Sequence, residues 1–266
     1  MLDATNIDAN DTDNADRAAA KVPRLGAGTK KPVLIVLHQE SSNPGHVGQW
    51  LARNGFPLDI RKPRFGDPLP ATLAGHCGAV IFGGPMSAND KDEFIRREIE
   101  WISVALKEQA PLLGICLGAQ MLAMHLGAKV GFDPQERAEM GYYPLRPTSA
   151  GQALDQRLGP MPDHVYQWHR EGCELPSGAQ HLATSDGPFP NQAFAYGPAA
   201  VGVQFHPEIT CAQVHRWTGH HLTRLDIKGA RQRHEHIAGH IAHAPKVQAW
   251  LGRFLERWVL AELPIG

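Results

Sequence analysis

The sequence predicts an α/β fold built on an open, mostly parallel sheet that is covered by helices on both faces. From Pro32 onward, short apolar runs alternate with segments of helical spacing, an order typical of parallel strands joined by helices. The apolar runs are continuous rather than alternating, which indicates strands buried on both faces. Glycines follow two of these runs, at the strand ends where open sheets collect their functional sites.

The first half of the chain supplies the parallel part of this sheet. We predict strands at residues 33–37, 58–60, 79–82 and 112–115. Helical spacing predicts connecting helices at residues 47–54 and 91–109. The second of these has a clear apolar face that includes Ile95, Ile99 and Ile102.

The second half is richer in strand and turn patterns. Short strands are predicted at residues 130–132, 142–145 and 165–168. Residues 193–196 and 200–205 indicate an added β-hairpin around Gly197 and Pro198. C-terminal helices are predicted from residue 211 to about 222 and from 245 to 260.

Residues 1–30 have a different composition from the rest of the chain. Aspartate, asparagine, threonine and alanine dominate this segment, and large apolar side chains are almost absent. Such a segment cannot bury enough surface to offset the entropy of ordering, so we expect a disordered tail. Residues 26–30 (GAGTK) contain glycines and a lysine without the spacing of a phosphate-binding loop.

Bulk composition excludes several classes of function. A formal net charge of -1 gives no indication of binding to nucleic acid or to an anionic membrane. No apolar run approaches the roughly 18–20 residues of a membrane span. The four cysteines contain no C-x-x-C pair, and the N-terminus lacks the order of a signal peptide. We therefore expect a cytoplasmic protein in a reducing compartment.

The strongest candidate for chemistry is the segment PLLGICLGAQ at residues 111–120. Cys116 lies between Gly114 and Gly118 in the pattern G-x-nucleophile-x-G, with cysteine in place of serine. The glycines permit a tight turn and leave room for a substrate beside the thiol. The N-terminus of the following helix favours the thiolate. The alternative interpretation is a core cysteine beside a tight turn.

A catalytic cysteine needs a base, and the base needs an acid that orients it. His206 and Glu208 directly follow the second strand of the predicted hairpin. Residues i and i+2 of an extended chain point the same way, so the imidazole and the carboxylate can share a face. Cys116, His206 and Glu208 therefore form a plausible Cys-His-Glu triad.

These motifs resemble those of the class I glutamine amidotransferases. The resemblance rests on PLLGICLGAQ, on VGVQFHPE at residues 201–208 and on IFGGPMSAN at residues 81–89, which resembles the oxyanion loop of the family. The resemblance covers residues 33–217, and the chain is most similar to the stand-alone, GMP-synthase-like branch of the family. It implies a flavodoxin-like fold without metal or cofactor. The amidotransferase domain would span residues 31–222, with a C-terminal helical extension at residues 223–266 packed on it.

The resemblance also implies a role for each matching residue. Cys116 would attack the glutamine carboxamide, with His206 as base and then acid, and Glu208 would hold the histidine tautomer. The amides of Gly84 and Leu117 would form the oxyanion hole. The substrate-binding residues implied by the resemblance are Gln120, Trp168, His169 and Arg170.

One stretch departs from the family pattern. Where the family often has His-Gly-Asp, this chain has His169, Arg170 and Glu171. Arg170 replaces a small residue, and Glu171 lengthens the acid by one methylene. We therefore expect a narrower pocket or a preference for another γ-glutamyl compound.

The implied function is a glutaminase that passes ammonia to an acceptor. The chain lacks the Ser-Gly-Gly-x-Asp-Ser pyrophosphate loop, so the acceptor is expected to be a separate synthetase subunit or an undefined substrate. A hydrolase of γ-glutamyl amines or peptides with the same triad is an alternative, and a catalytically silent regulatory subunit is another. A homo-oligomer is compatible with the sequence.

The last third of the chain is rich in histidine. His236, His240 and His243 would share one face of a helix, which is conceivable as a metal site. No cysteine or acid cluster supports it, so a solvated or partner-facing helix surface is the favoured interpretation. The other cysteines are expected to serve packing; they are Cys77, Cys173 and Cys211.

Overall fold

The computed structural model describes residues 30–220 and 222–263, so the predicted disordered tail lies outside the described residues except for Lys30. The strands are β1 (Val33–Val36), β2 (Leu58–Arg61), β3 (Gly78–Ile81), β4 (Leu112–Ile115), β5 (Val130–Phe132), β6 (Glu139–Pro144), β7 (Arg146–Pro147), β8 (His164–His169), β9 (Glu171–Cys173), β10 (Gln180–Thr184), β11 (Ala193–Tyr196) and β12 (Ala200–Val203). The α-helices are α1 (Gly45–Arg53), α2 (Glu93–Lys107), α3 (Leu117–His125), α4 (Ser149–Leu158), α5 (Cys211–His220) and α6 (Arg233–Trp258). Two short 3-10 turns lie at Pro63–Phe65 and Leu222–Asp226. Among the described helices, none combines the length and the apolar character that crossing a bilayer requires.

Eight strands form one open sheet in the order β2-β1-β3-β4-β12-β11-β10-β7. The strands β2, β1, β3, β4 and β12 run parallel to one another. The remaining pairings, from β12 through β11 and β10 to β7, are antiparallel. The prediction of an open, mostly parallel sheet is confirmed, and the predicted hairpin is the β11–β12 pair.

Helices cover both faces of the sheet because alternate residues of each parallel strand point to opposite sides. On one face, Val33 and Ile35 of β1 belong to a buried cluster with side chains of α1, α4 and α6. On the other face, Leu34 and Val36 belong to a cluster with side chains of α2 and α3. All four β1 side chains are fully buried, which explains the continuous apolar run in the sequence.

The register of the parallel strands brings three chain segments to one edge of the sheet. β4 lies between β3 and β12, with Ile81 opposite Gly114 and Val203 opposite Ile115. Cys116 therefore leaves β4 beside the segment that follows β3 and the segment that follows β12. The carboxyl ends of neighbouring parallel strands are where open α/β sheets place their sites.

Two small antiparallel pairs lie outside the main sheet. β6 pairs with β8 over six residue pairs, from Glu139 opposite His169 to Pro144 opposite His164. β5 pairs with β9, which places Phe132 opposite Glu171. The predicted strands at 130–132, 142–145 and 165–168 correspond to β5, β6 and β8, although β6 begins earlier than predicted. Strand β9 was not predicted, because it is three residues long and contains a glycine.

The final helix begins much earlier than predicted. We predicted a helix from Pro245, yet α6 runs from Arg233 through Pro245 to Trp258. Gln232 and Glu235 form a capping box at its N-terminus, in which the side chain of each residue accepts a hydrogen bond from the backbone N–H of the other. A proline inside a helix removes one backbone hydrogen bond. Packing of the apolar face offsets that loss, since Trp250, Phe254 and Trp258 belong to the sheet-facing core.

The predicted solvated or partner-facing surface is wrong for His236 and His240, whereas His243 is partly exposed. His236 is completely buried and His240 is nearly so, because this face of α6 packs on β6 and β8. The Tyr166 hydroxyl lies 3.0 Å from His236 Nδ1, and the Tyr142 hydroxyl lies 2.9 Å from His240 Nδ1. The histidines are used to satisfy buried tyrosine hydroxyls, which periodicity alone does not reveal.

Candidate active site

Cys116 lies at a strained turn between β4 and α3. Its backbone has φ 52° and ψ -104°, a left-handed conformation that is costly for a residue with a side chain. The Cys116 amide donates to the Val203 carbonyl at 2.8 Å, which ties the turn to β12. A Cβ on Gly118 would overlap the Ile81 carbonyl, and one on Gly114 would lie 2.5 Å from the Gly118 carbonyl oxygen. Both glycines are therefore required by close backbone packing.

His206 and Glu208 form a buried pair directly after β12. His206 Nδ1 lies 2.8 Å from Glu208 Oε1, and both side chains are about 4% exposed. The His206 amide donates to the Tyr166 carbonyl at 2.8 Å, and the Glu208 carbonyl accepts from the His46 amide at 2.8 Å. Strand β8 and helix α1 thus hold the two residues that the sequence predicted to act as base and orienting acid.

The imidazole of His206 faces the same small space as the Cys116 side chain. A Cβ on Gly83 would lie 2.8 Å from His206 Cε1 and 3.5 Å from Cys116 Cβ. His206 Nε2 is buried and has no hydrogen-bond partner among the described residues. Contacts between a nucleophile and its base are often long before substrate binds. The free nitrogen is therefore available for proton transfer beside the thiol.

The electrostatic surroundings favour the protonated form of His206. Burial has the largest effect on this group and by itself would lower the pKa. The negative charges of Glu208 and of the Cys116 sulfur, together with the short-range contacts of the ring with Cys116 and Glu208, outweigh burial and raise the pKa of His206 to about 10. A protonated imidazole beside the sulfur can supply the proton that a leaving group needs.

The two backbone amides that were predicted to form the oxyanion hole belong to adjacent segments. Gly84 follows β3, and a Cβ on it would lie 3.1 Å from Leu117 Cδ2, so the loop and the first residue of α3 are adjacent. Gly84, Leu117 and Cys116 all line one cavity. The amide of Leu117 is at the N-terminus of α3, where N–H groups lack intrahelical partners.

The cavity has a volume of about 370 Å³ and opens above Cys116. The predicted substrate-binding residues Gln120, Trp168, His169 and Arg170 all line it. The sequence-predicted catalytic residues Cys116, His206 and Glu208 also line it, so the structure brings the predicted site together.

Comparison with known proteins decides the family. A family model described as glutamine amidotransferase class-I matches residues 49–222, which is more than half of the chain. The chain belongs to this family. It is 30% identical over 245 residues to the glutamine amidotransferase-like protein YfeJ of Salmonella typhimurium, covering 86% of this chain and 98% of that protein. It is 36% identical over 145 residues to the GMP synthase of Porphyromonas gingivalis, covering 53% of this chain and 26% of that protein.

Solved structures of glutamine amidotransferases have a fold similar to that of this chain. A glutamine amidotransferase from Methylobacillus flagellatus has a TM-score of 0.78 and 29% identity, covering 89% of this chain and 97% of that one. A glutamine amidotransferase from Thermotoga maritima has a TM-score of 0.77 and 30% identity, covering 86% and 97%. The chain spans about a quarter of the length of the matched GMP synthase.

Within this class I amidotransferase, two of the predicted substrate-binding side chains are already engaged. Gln120 Nε2 donates to the Glu171 carbonyl at 2.8 Å and to Gln204 Oε1 at 3.3 Å. His169 Nδ1 lies 2.9 Å from the same Glu171 carbonyl, and Nε2 faces Gln167 and Glu139. Both side chains therefore position the segment around Glu171, and their predicted part in substrate binding stays a prediction.

Arg170 lines the cavity, and the narrower pocket expected from its side chain stays a prediction. Its side chain is exposed, with the guanidinium carbon 5.4 Å from the centre of the Phe132 ring. Glu171 Oε1 accepts from the Ser87 hydroxyl at 2.9 Å, which links the β9 strand to the oxyanion loop. The expected preference for another γ-glutamyl compound stays a prediction.

Two further arginines, Arg216 and Arg224, also line the cavity, although no sequence motif had indicated them. Arg216 donates to the Ser41 carbonyl at 3.3 Å. Burial, followed by the positive charge of Arg170, lowers the pKa of Arg224. None of these three arginines forms an ion pair with a described carboxylate. Arg216 and Arg224 lie beyond the recognisable motifs and reach the cavity only through the packing of α5 and the turn after it.

Two of the other three cysteines, Cys173 and Cys77, agree with a packing role. Cys173 is buried, and burial raises the pKa of its thiol to about 12, which makes it unreactive. Burial also raises the pKa of Cys77, whose sulfur contacts the Lys31 carbonyl at 3.3 Å. Cys211 is exposed at the start of α5, so packing does not account for it.

A group of potential metal ligands lies far from Cys116. Asp163, His164 and His243 have ligand atoms within 4.8 Å of one another. The rings of His164 and His243 are stacked at 4.2 Å, and Lys246 forms an ion pair with Asp163 at 3.2 Å. Parallel imidazoles and a competing lysine do not give the converging donors that a metal ion needs.

Proposed function

We propose that the chain hydrolyses the side-chain amide of glutamine through a thioester on Cys116 and releases the ammonia to an acceptor. The observation that carries this proposal is the free, buried Nε2 of His206 beside a thiol on a strained turn. The second nitrogen of the same ring is fixed by Glu208 at 2.8 Å. In this arrangement Nδ1 is fixed, and Nε2 can transfer a proton to or from the reacting groups beside Cys116.

The proposed reaction has two stages, acylation of Cys116 and hydrolysis of the resulting thioester. The thiolate of Cys116 attacks the γ-carbonyl carbon, and the electron pair of the C=O bond moves to oxygen. The amides of Gly84 and Leu117 stabilise that oxyanion, and one such donor is worth about 3–4 kcal/mol in the transition state. The oxyanion then re-forms the C=O bond as the C–N bond breaks, and His206 gives its Nε2 proton to the leaving nitrogen, which departs as ammonia. Water then attacks the thioester with His206 as base, which releases glutamate and restores the thiol.

The cavity offers charges of both signs for the amino-acid end of the substrate. Glu171 and Asp90 lie on the side of the oxyanion loop, where Ser87 donates from its hydroxyl to Glu171 and from its amide to Asp90. Arg216 and Arg224 line the cavity as cations without a carboxylate partner. We propose that the acidic residues bind the α-ammonium group of the substrate and the arginines bind its α-carboxylate.

The same arginines favour a second candidate function. One α-carboxylate does not satisfy Arg170, Arg216 and Arg224 together, so a γ-glutamyl peptide with a further acid group also fits the cavity. A γ-glutamyl amine with a free ammonium group would be repelled by these cations. The chemistry at Cys116 is the same for both substrates, and they differ only in the leaving group.

The ammonia acceptor is proposed to be a separate synthetase subunit. GMP synthases contain a region of about 145 residues that is similar to this chain, and this region is a minor part of their length. Affinity purification of the native chain from its source, followed by assay of each co-purifying fraction, tests this point. A fraction that raises glutamate release identifies the partner, and no rise in any fraction contradicts a partner-dependent enzyme.

The function itself is tested by incubating the purified chain with glutamine and, in parallel, with γ-glutamyl peptides and γ-glutamyl amines. Glutamate release that disappears in Cys116→Ala is the expected result, and Cys211→Ala serves as the matched cysteine control. Release from peptides alone would favour the second candidate. A Cys116→Ala variant as active as the parent would exclude the mechanism. Silence on every substrate, without labelling of Cys116 by a glutamine-like diazoketone, would favour a regulatory subunit.

A further inference from the structure

A second buried histidine–glutamate pair lies behind the Gly83–Gly84 loop. His38 follows β1, Glu98 lies in α2, and both side chains are 0% exposed. His38 Nε2 is 2.8 Å from Glu98 Oε2, and the two residues are 60 positions apart in the chain. Neither residue lines the cavity or belongs to the motifs that identified the family.

Burying the His38–Glu98 pair is less favourable than packing apolar side chains in the same space. Removing two polar groups from water costs several kcal/mol per ion, and well-packed apolar residues often replace such pairs without loss of stability. Glu98 Oε1 also has no hydrogen-bond partner among the described residues. Packing alone does not account for a pair that is only partly satisfied, so a role in positioning is the better explanation.

The other ring nitrogen of His38 reaches the loop itself. His38 Nδ1 is 3.2 Å from the Gly83 carbonyl oxygen. A carbonyl can only accept, so Nδ1 carries a hydrogen and donates it. The remaining contact, at Nε2, fixes the ring between Glu98 and the loop. The ring therefore holds the Gly83 carbonyl on the side of the loop that faces away from the cavity.

The direction of the Gly83 carbonyl determines the direction of the Gly84 amide. The peptide between them is planar and trans, because the structure contains no cis peptide bond in its described part. In a trans peptide the N–H points opposite to the C=O. His38 is fully buried and lies outside the cavity lining, whereas Gly83 and Gly84 line it. The Gly84 N–H consequently points toward the cavity.

We propose that Glu98 and His38 are positioning residues that orient the Gly83–Gly84 peptide so that the Gly84 amide serves as an oxyanion donor. This inference rests on the proposed function, in which Cys116 forms a tetrahedral oxyanion beside that amide. Loss of one well-placed oxyanion donor lowers kcat by about 10² to 10³. A peptide that can rotate part of the time gives a smaller loss, of about 10- to 100-fold.

The test compares three variants. His38→Leu with Glu98→Leu removes both polar groups and keeps the interior apolar, so the protein folds without an unpaired buried charge. His38→Asn, made in the Glu98→Leu background throughout, keeps an N–H donor near the position of Nδ1, leaves no unpaired buried carboxylate and is the conservative rescue. Ile102→Val shortens a buried side chain of the same helix and is the control for general loosening of α2.

For glutamine hydrolysis we expect the double leucine variant to lose about 10- to 100-fold in kcat, with KM within about threefold of the parent. His38→Asn should recover most of the loss, and Ile102→Val should stay within about twofold. Unfolding in urea should show the double leucine variant to be no less stable than Ile102→Val. An unchanged kcat in the double leucine variant, or an equal loss in His38→Asn, would overturn the positioning role.

A second readout does not depend on glutamine as the substrate. Acylation of Cys116 by p-nitrophenyl acetate forms a tetrahedral oxyanion and releases p-nitrophenolate, whereas alkylation by iodoacetamide forms no oxyanion. The double leucine variant should be acylated about 10- to 100-fold more slowly and alkylated at the parental rate. A parent that is acylated but hydrolyses no γ-glutamyl compound contradicts the proposed function alone. Equal acylation of parent and variant contradicts the positioning role alone.

Discussion

His206 and His38 are each 2.8 Å from a buried glutamate, and His169 is 3.2 Å from a third, yet only one of the three imidazoles has a free nitrogen. His38 contacts Glu98 and the Gly83 carbonyl, so both ring nitrogens are occupied. His169 likewise contacts the Glu171 carbonyl through one nitrogen and Gln167 and Glu139 through the other.

The difference separates residues that move a proton from residues that hold a loop. A histidine transfers a proton only if one nitrogen can reach the reacting atoms, whereas a histidine with two protein partners fixes the distance between them. The distance between the histidine nitrogen and the glutamate oxygen does not distinguish the two roles. Each holding pair supports a different border of the cavity, since His38 contacts the oxyanion loop and His169 contacts the segment around Glu171.

The largest effect is expected from removing the free nitrogen. His206→Asn keeps a polar group beside Glu208 but leaves the thiol without a base. Residues that act as a unit with a nucleophile typically contribute a factor on the order of 10⁴ to 10⁶ in kcat. Glutamate release should fall by that amount, while His234→Asn, in the exposed first turn of α6, should retain parental activity. A fall of less than tenfold would place the base elsewhere.

A smaller loss is expected from Glu208→Gln, which keeps the shape of the pair and removes its charge. We expect kcat to decrease by a factor on the order of 10² to 10⁴. The carboxylate is the main group that raises the pKa of His206, so the amide lowers that pKa. The alkaline limb of the kcat/KM profile, near pH 10 in the parent, should therefore move to lower pH. A limb that does not move would show that His206 is not the group that titrates.

The same variant has a consequence for stability. The pKa of His206 is about 10 in the folded protein and 6.5 as the ordinary value, so folding favours its protonated form. The resulting stabilisation is complete below about pH 6.5 and is lost as the pH rises through 10. The free energy of unfolding in urea should thus decrease more steeply over this range in the parent than in Glu208→Gln. Parallel curves for the two proteins would contradict the raised pKa.

Sequence proximity explains which of the three pairs could be predicted. His206 and Glu208 are two residues apart after a strand, so the pattern of an extended chain places them on one face. His38 and Glu98 come from different elements that meet only after β1 and α2 have packed. Glu139 and His169 face each other through the register of β6 and β8. Register and helix packing depend on the whole core, and a single sequence does not display them.

The fold follows the same rule. Continuous apolar runs predicted β1, β3 and β4 to within about one residue, because burial on both faces leaves a strong local pattern. Helix α4 was missed, although Thr148 caps it by accepting from the Gly151 amide at 3.2 Å, because only a few of its side chains are apolar. Pro245 misled the prediction of α6, since the packing that tolerates it comes from distant strands.

The smallest effect on turnover is expected from Glu139→Gln. Glu139 is completely buried, pairs with His169 and accepts from Gln192 Nε2 at 2.9 Å, but it does not line the cavity. An amide in its place leaves a donor facing a donor, which costs about 1–3 kcal/mol of stability. We expect a lower midpoint in urea, kcat within about threefold of the parent and a modest rise in KM. Glu174→Gln, at an exposed position nearby, is the matched control and should change neither quantity. If Glu139→Gln lowered kcat as strongly as Glu208→Gln, His169 would take part in proton transfer, and occupancy of both ring nitrogens would not mark a positioning histidine.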